Sequence, residues 1–169
     1  MYLLDTDHLS ILQRPSGSAA DRLKERLHAV PSESIHASVV SFHEQVNGWS
    51  AFLNRSKSMD HLCLAYRMLA DAQSFYSEFE LLPFDQDAAR CFEELTRHKT
   101  RVATLDLRIA SIALSRGMTL LTRNTVDFAR IPGLRFEDWA ADDGPNGTHW
   151  RKVSFPSRTL GTRRNEARS

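Results

Sequence analysis

This sequence predicts a three-layer α/β/α fold around a mostly parallel central sheet of four or five short strands. Three observations carry that reading. Short apolar runs alternate with helix-periodic stretches through residues 1–141, the pattern of βαβ units. A chain of 169 residues suits one domain with a real core. Four acidic residues far apart in sequence, Asp5, Glu44, Asp106 and Asp127, each stand where a strand-like run gives way to a helix or loop.

Tyr2-Leu3-Leu4 is a short buried strand that reaches polar residues at once. Thr6-Asp7-His8 offers capping side chains, Asp7 foremost, to a short helix through Leu9, Ile11 and Leu12 that Pro15 and Gly17 stop. From Asp21 to Val30 apolar residues recur at Leu23, Leu27 and Val30, and Pro31 ends the helix. Ile35 to Val40 is the second strand. Ser41-Phe42-His43-Glu44 then matches a capping box before a helix through Val46 and Trp49 to Phe52. Met59 to Phe79 has the three-and-four spacing of an amphipathic helix.

Leu81-Leu82-Pro83-Phe84 is Pro-interrupted and suits an edge strand. Asp85 to His98 forms the next helix, with Asp85 as its cap. After the basic loop Lys99 to Ala103, Thr104 is placed to cap a helix over Leu105 to Arg116, and Gly117 to terminate it. Met118 to Thr122 is an apolar strand. A turn at Ile131-Pro132-Gly133 precedes a last short strand within Leu134 to Trp139. Residues 142–169 change character: they are turn-rich, then basic and without periodicity, and read as a flexible C-terminal extension.

Composition excludes more than it identifies. Hydrophobic content of 41% and charged content of 25% are ordinary for a globular protein, and the net charge of +1 creates no global field toward nucleic acid or membrane. That average hides an asymmetry. Arg151, Lys152, Arg158, Arg163, Arg164 and Arg168 face only Glu166, whereas the first 150 residues are slightly acidic. Cys63 and Cys91 form no CxxC pattern and are expected to be core thiols in a reducing cytoplasmic compartment. Neither a membrane span nor a signal peptide is expected.

Chemistry points to the acids. In a parallel sheet the carboxyl ends of the strands share one edge, where ligands bind. Carboxylates gathered there repel one another unless a cation is bound or their pKa values rise. A hard ion such as Mg2+ or Mn2+ accepts oxygen ligands of this kind. Each acid also has a plainer reading. Asp5 serves equally as a helix cap, Asp7 more readily as a cap than as a ligand, and Glu44 fits the capping box. Asp106 is freed from capping by Thr104. Asn124 can ligate through its carbonyl oxygen or turn the chain, and Asp127 can be a solvated loop acid. It is their repetition at successive strand ends that favours one site. The seven histidines form no HxxxH or HxH pair, and no GxSxG, GxGxxG or GxxxxGK[ST] motif is present.

The ordered set Leu4-Asp5-Thr6-Asp7, Ser38-Val39-Val40-Ser41-Phe42-His43-Glu44, Thr104-Leu105-Asp106-Leu107-Arg108-Ile109-Ala110 and Leu121-Thr122-Arg123-Asn124-Thr125-Val126-Asp127-Phe128 resembles the PIN-domain family. Ile131-Pro132-Gly133-Leu134 and Glu137-Asp138-Trp139 extend the likeness, which covers about residues 1 to 140. Within that family it is similar to the VapC-like ribonuclease toxins. The resemblance places metal-site acids on Asp5, Glu44 and Asp106, with Asp127 as the fourth and Asn124 assisting. Asp7 stands where the family usually has Asn, and adds charge. The resemblance further implies endonucleolytic hydrolysis of RNA using Mg2+ or Mn2+, a small cognate antitoxin and a homodimer. Two alternatives stay open: a PIN-like nuclease acting on another nucleic acid, and a non-catalytic interaction module on the same fold. Arg123 and Lys99-Thr100-Arg101 are candidate phosphate contacts. His8, Phe42 and Phe128 are candidate stacking aromatics.

Overall fold

The computed structural model describes residues 1–14, 16–98 and 100–142. Five strands form one sheet: β1 (Tyr2–Leu4), β2 (Ile35–Ser38), β3 (Glu80–Leu82), β4 (Thr119–Leu121) and β5 (Arg135–Glu137). Their order is β3-β2-β1-β4-β5 and every pairing is parallel. Leu4 lies level with Ala37 on one side and Leu121 on the other. The chain runs outward from β1 to β2 and β3, then crosses back to β4 beside β1 and outward again to β5 at the opposite edge. The strand order therefore reverses between β1 and β4, which opens a crevice at their carboxyl ends.

Among the described residues seven α-helices cover the sheet: α1 (Thr6–Leu12), α2 (Ser18–His28), α3 (Val39–Asn54), α4 (Met59–Tyr76), α5 (Gln86–Arg97), α6 (Thr104–Ser115) and the single turn α7 (Thr125–Phe128). Successive strand residues face opposite sides. Leu3 and Leu120 pack with α5 and α6 in one core, and Leu4, Ala37 and Leu121 pack with α1, α2 and Tyr76 of α4 in the other. Burial on both faces explains why the strands read as continuous apolar runs. The expected three-layer architecture is the one observed, and β3 is the edge strand that Pro83 suggested.

Several expected boundaries move. The strand foreseen over Ile35 to Val40 stops at Ser38, because the Ser38 hydroxyl accepts the Ser41 N–H at 2.9 Å and starts α3 there. Ser41 is therefore not the cap, no capping box forms, and Glu44 sits more than a turn inside the helix. At α1 the cap is Asp5, which accepts from Thr6 N–H, and not Asp7. Ala103 precedes α6 without a side-chain cap, so Thr104 is its first residue.

Asp85 caps α5 as expected. Gly117, at φ 60°, closes α6: its N–H donates to Leu114 and that of Met118 to Ala113. Cys63 is exposed and Cys91 half-buried, so neither is a core thiol. No helix among the described residues is long and apolar enough to cross a membrane. The C-terminal extension, from residue 143 on, lies outside the described residues.

Ser38 also meets the Ser41 hydroxyl at 2.9 Å, and both residues are fully buried. Ser38→Ala should therefore cost about 1–2 kcal/mol. In urea this would lower the unfolding midpoint at unchanged m-value. A loss below about 0.5 kcal/mol would remove the cap from the explanation of where α3 begins.

Candidate active site

Between the carboxyl ends of β1 and β4 opens a pocket of about 290 Å3, lined by Asp5, Thr6, Asp7, Ser10, Glu44, Asp106 and Asn124. Four carboxylates and one amide thus converge from four parts of the chain, and no basic side chain lines the pocket.

Asp5 is the most buried of the acids, 5% exposed. Its Oδ1 accepts the Thr6 N–H at 2.7 Å and its Oδ2 the Thr122 hydroxyl at 2.8 Å. Burial pushes its carboxyl up from 3.8 to about 7, and the Asp7 charge adds to the push, against the two hydrogen bonds. Glu44 turns inward from α3 and takes the Thr6 hydroxyl on Oε2 at 2.5 Å. Asp106, in the first turn of α6, is raised by burial and then by the charges of Glu44, Asp127 and Asp7. Desolvation and like-charge repulsion, the two effects that disfavour a carboxylate, act here together.

Asp7 is held at both oxygens. Its Oδ1 lies 2.9 Å from His8 Nδ1, and its Oδ2 accepts the Arg123 N–H at 2.8 Å. Asn124 lines the pocket with its amide, whose Nδ2 donates to Asp106 at 3.3 Å and to Asp127 at 3.1 Å. Its carbonyl oxygen faces the Asp127 N–H and caps α7. Asp127 itself stands behind Asn124, outside the pocket lining, and its other oxygen is 2.9 Å from Arg130. The structure thus gathers Asp5, Asp7, Glu44, Asp106 and Asn124, and leaves Asp127 one residue removed.

The donors are all oxygens, the chemistry a hard divalent ion takes. Among the described residues no three His, Cys, Asp or Glu side chains close around a metal by themselves. An open pocket with few direct ligands suits Mg2+ or Mn2+, which keeps part of its water shell. The carboxyls of Asp5 and Asp106 are raised first by burial and then by the charge of the neighbouring acids, a charge that a bound cation would offset. On these grounds the residues fit a divalent cation.

Residues not foreseen include Thr122 and Ser10, and the use of Thr6 as a hydroxyl donor. Thr122 directly follows β4, Thr6 opens α1 and Ser10 lies one turn further into it, the one signal that could have found them. Tyr76, buried and without a hydrogen-bond partner, is also close: burial and then the charges of Glu44 and Asp5 push its phenol up. The proposed stacking aromatics are not available. His8 and Phe128 are fully buried, and Phe42 packs against Tyr76 at 5.1 Å between ring centres. Arg123 is exposed beside Asp7, Arg101 is exposed, and Lys99 lies outside the described residues.

The PIN domain family model matches residues 2–134. Among curated proteins, the tRNA(fMet)-specific endonuclease VapC of Salmonella typhimurium is 43% identical over 77 residues, covering 43% of this chain and 58% of that protein. The chain spans little more than half the length of the curated relatives it matches. Among solved structures, DNA-bound VapBC from Salmonella typhimurium aligns with a TM-score of 0.62 and 32% identity, over 82% of this chain and 97% of that one. VapBC2 from Rickettsia felis, bound to a DNA fragment from its promoter, gives 0.64 and 25%, over 82% and 98%. With the family model matched over residues 2–134, most of its length, this chain belongs to the PIN-domain family.

Proposed function

We propose that this chain is a metal-dependent endoribonuclease, the toxin of a VapBC-type pair. In this reading it hydrolyses RNA phosphodiester bonds in a reducing cytoplasm and is restrained by a small cognate antitoxin, as a homodimer. The observation that carries the reading is the convergence of Asp5, Asp7, Glu44 and Asp106 on one open pocket that no basic side chain lines. The endonuclease and ribonuclease names of the curated relatives, and the VapBC complexes among similar structures, support the substrate and the partner.

A bound Mg2+ or Mn2+ would supply an activated water and offset the charge that builds on the phosphate. Asp5, Glu44 and Asp106 would hold it, with Asp7 adding charge. Thr122 and Thr6 orient the carboxylates of Asp5 and Glu44 by donating to them. Asn124 bridges Asp106 and Asp127 by donating to both. Arg123, exposed and adjacent in sequence to the pocket residue Asn124, is the candidate phosphate contact.

The test is cleavage of a mixed cellular RNA pool by the purified chain with Mn2+, with Mg2+ and with EDTA. Discrete cuts that appear with either ion and vanish with EDTA are expected. No cutting with either ion, by protein that is folded, would overturn the reading; equal cutting of single-stranded DNA would replace RNA as the substrate.

The fourth position can be ordered by mutation. Asn124→Ala removes a pocket residue and should lower kcat/KM about 10–100-fold, the usual cost of losing a group that orients metal ligands. Asp127→Ala removes only the group behind it and should cost about tenfold or less. The reverse order would return the fourth role to Asp127.

A further inference from the structure

His8 is the third residue of α1, and its imidazole is fully buried. A buried imidazole needs partners, and this one has two of opposite kind. On one side Nδ1 lies 2.9 Å from Asp7 Oδ1. On the other, Nε2 is 3.3 Å from the backbone N–H of Trp139, just beyond β5. A backbone N–H can only donate, so Nε2 is bare and accepts. The single proton of the neutral ring therefore sits on Nδ1 and is donated to Asp7. Asp138 Oδ1 also approaches Nε2, at 3.5 Å, but it is already engaged by the N–H groups of Ala140 and Ala141 at 2.9 and 3.1 Å.

The arrangement ties three segments together. Trp139 fixes the ring, the ring fixes one oxygen of Asp7, and the Arg123 N–H fixes the other. Asp7 is thereby prevented from capping α1, the task its sequence position suggested, and is turned to the pocket it lines. Any apolar side chain could fill the space of a core residue here. A ring with a defined tautomer, donating to a pocket carboxylate, does more.

We infer that His8 is a positioning residue for Asp7, holding that carboxylate at the pocket wall and coupling it to the segment that follows β5. The part concerning metal affinity rests on the cation reading of the pocket; the part concerning the tautomer does not.

Two conservative variants of the full chain separate the halves of the arrangement. In His8→Asn the amide nitrogen takes the place of Nδ1 and can still donate to Asp7, but cannot reach Trp139. In His8→Gln the side chain reaches Trp139 and loses Asp7. Mn2+ affinity by calorimetry should fall about 10–100-fold in His8→Gln and in Asp7→Asn, and by less than about threefold in His8→Asn. The double variant His8→Gln with Asp7→Asn should bind no more weakly than Asp7→Asn alone. Losses that add, or that follow melting temperature instead of the Asp7 contact, would overturn the inference.

Ring 15N signals of the wild-type protein, read without metal, give the decision should the variants fail to fold. Protonation at Nδ1 alone is expected, and protonation at Nε2 overturns the inference. Wild-type protein that binds no Mn2+ would defeat the cation reading, while the tautomer would still decide the role of His8.

Discussion

Asp5→Asn should abolish RNA cleavage and at the same time make the metal-free protein more stable near neutral pH. The two effects have one cause. Asp5 is nearly enclosed, and its carboxyl titrates at about 7 in place of 3.8, first because of burial and then because of the Asp7 charge. An amide has the same shape, still accepts the Thr6 N–H, and leaves the Thr122 hydroxyl a partner, but carries no charge to confine. On the proposed reading it also cannot hold a cation as a carboxylate does. Loss of roughly 10²–10³-fold or more in kcat/KM is expected, the scale for one preorganised electrostatic group in an active site.

The stability effect has a definite direction with pH. Because the folded protein keeps the Asp5 proton more tightly than the unfolded chain, it binds more protons between 3.8 and about 7. Wild-type stability from this group is complete below 3.8, declines as pH rises through that window, and is flat above it. Asp106, raised in the same sense, steepens the decline. The whole Asp5 contribution is at most about 4 kcal/mol, from about 1.4 kcal/mol per pH unit. Thermal melts in EDTA from pH 4 to 8 should show the wild type losing stability and Asp5→Asn losing much less. Parallel curves, or a variant less stable than wild type at pH 8, would show that Asp5 is not confined as described.

Legibility in the sequence follows the range of the interactions involved. Leu3-Leu4 and Leu120-Leu121 announce a doubly buried parallel sheet because both faces must be apolar there, and the carboxyl-end position of Asp5 follows directly. Where α3 begins was not legible. Val39-Val40 have strand character and both Ser38 and Ser41 can cap, so the choice fell to burial of the Ser38–Ser41 pair. That choice moves Glu44 from a cap position to the pocket.

The same applies at the other acids. By sequence Asp7 reads more readily as a cap and Asp127 as the fourth acid, but Asp7 lines the pocket and Asp127 stands behind Asn124. Contacts such as Thr122 with Asp5, or His8 with Trp139, join residues more than a hundred positions apart. Only the folded β1–β4–β5 register brings them together.

Addition of Mn2+ should raise the melting temperature of the wild-type protein by about 5–11 °C at a hundredfold excess over its dissociation constant. Binding to the folded state alone at that excess contributes about 2.7 kcal/mol, and a domain of this size gains roughly 2–4 °C per kcal/mol. The effect should be small at pH 5 and grow toward pH 8, because Asp5 and Asp106 must give up their protons to serve as ligands and both hold them above the usual carboxylate range.

Asp106→Asn should remove most of the shift. It deletes a pocket carboxylate while keeping an acceptor for the Asn124 amide, so it separates loss of charge from loss of packing. Potassium chloride at matched ionic strength supplies the comparison, since screening weakens repulsion between exposed charges without occupying a site. Should potassium chloride reproduce the gain, or Asp106→Asn retain it in full, the acids of this pocket would be relieved by screening alone and would not form a divalent-ion site.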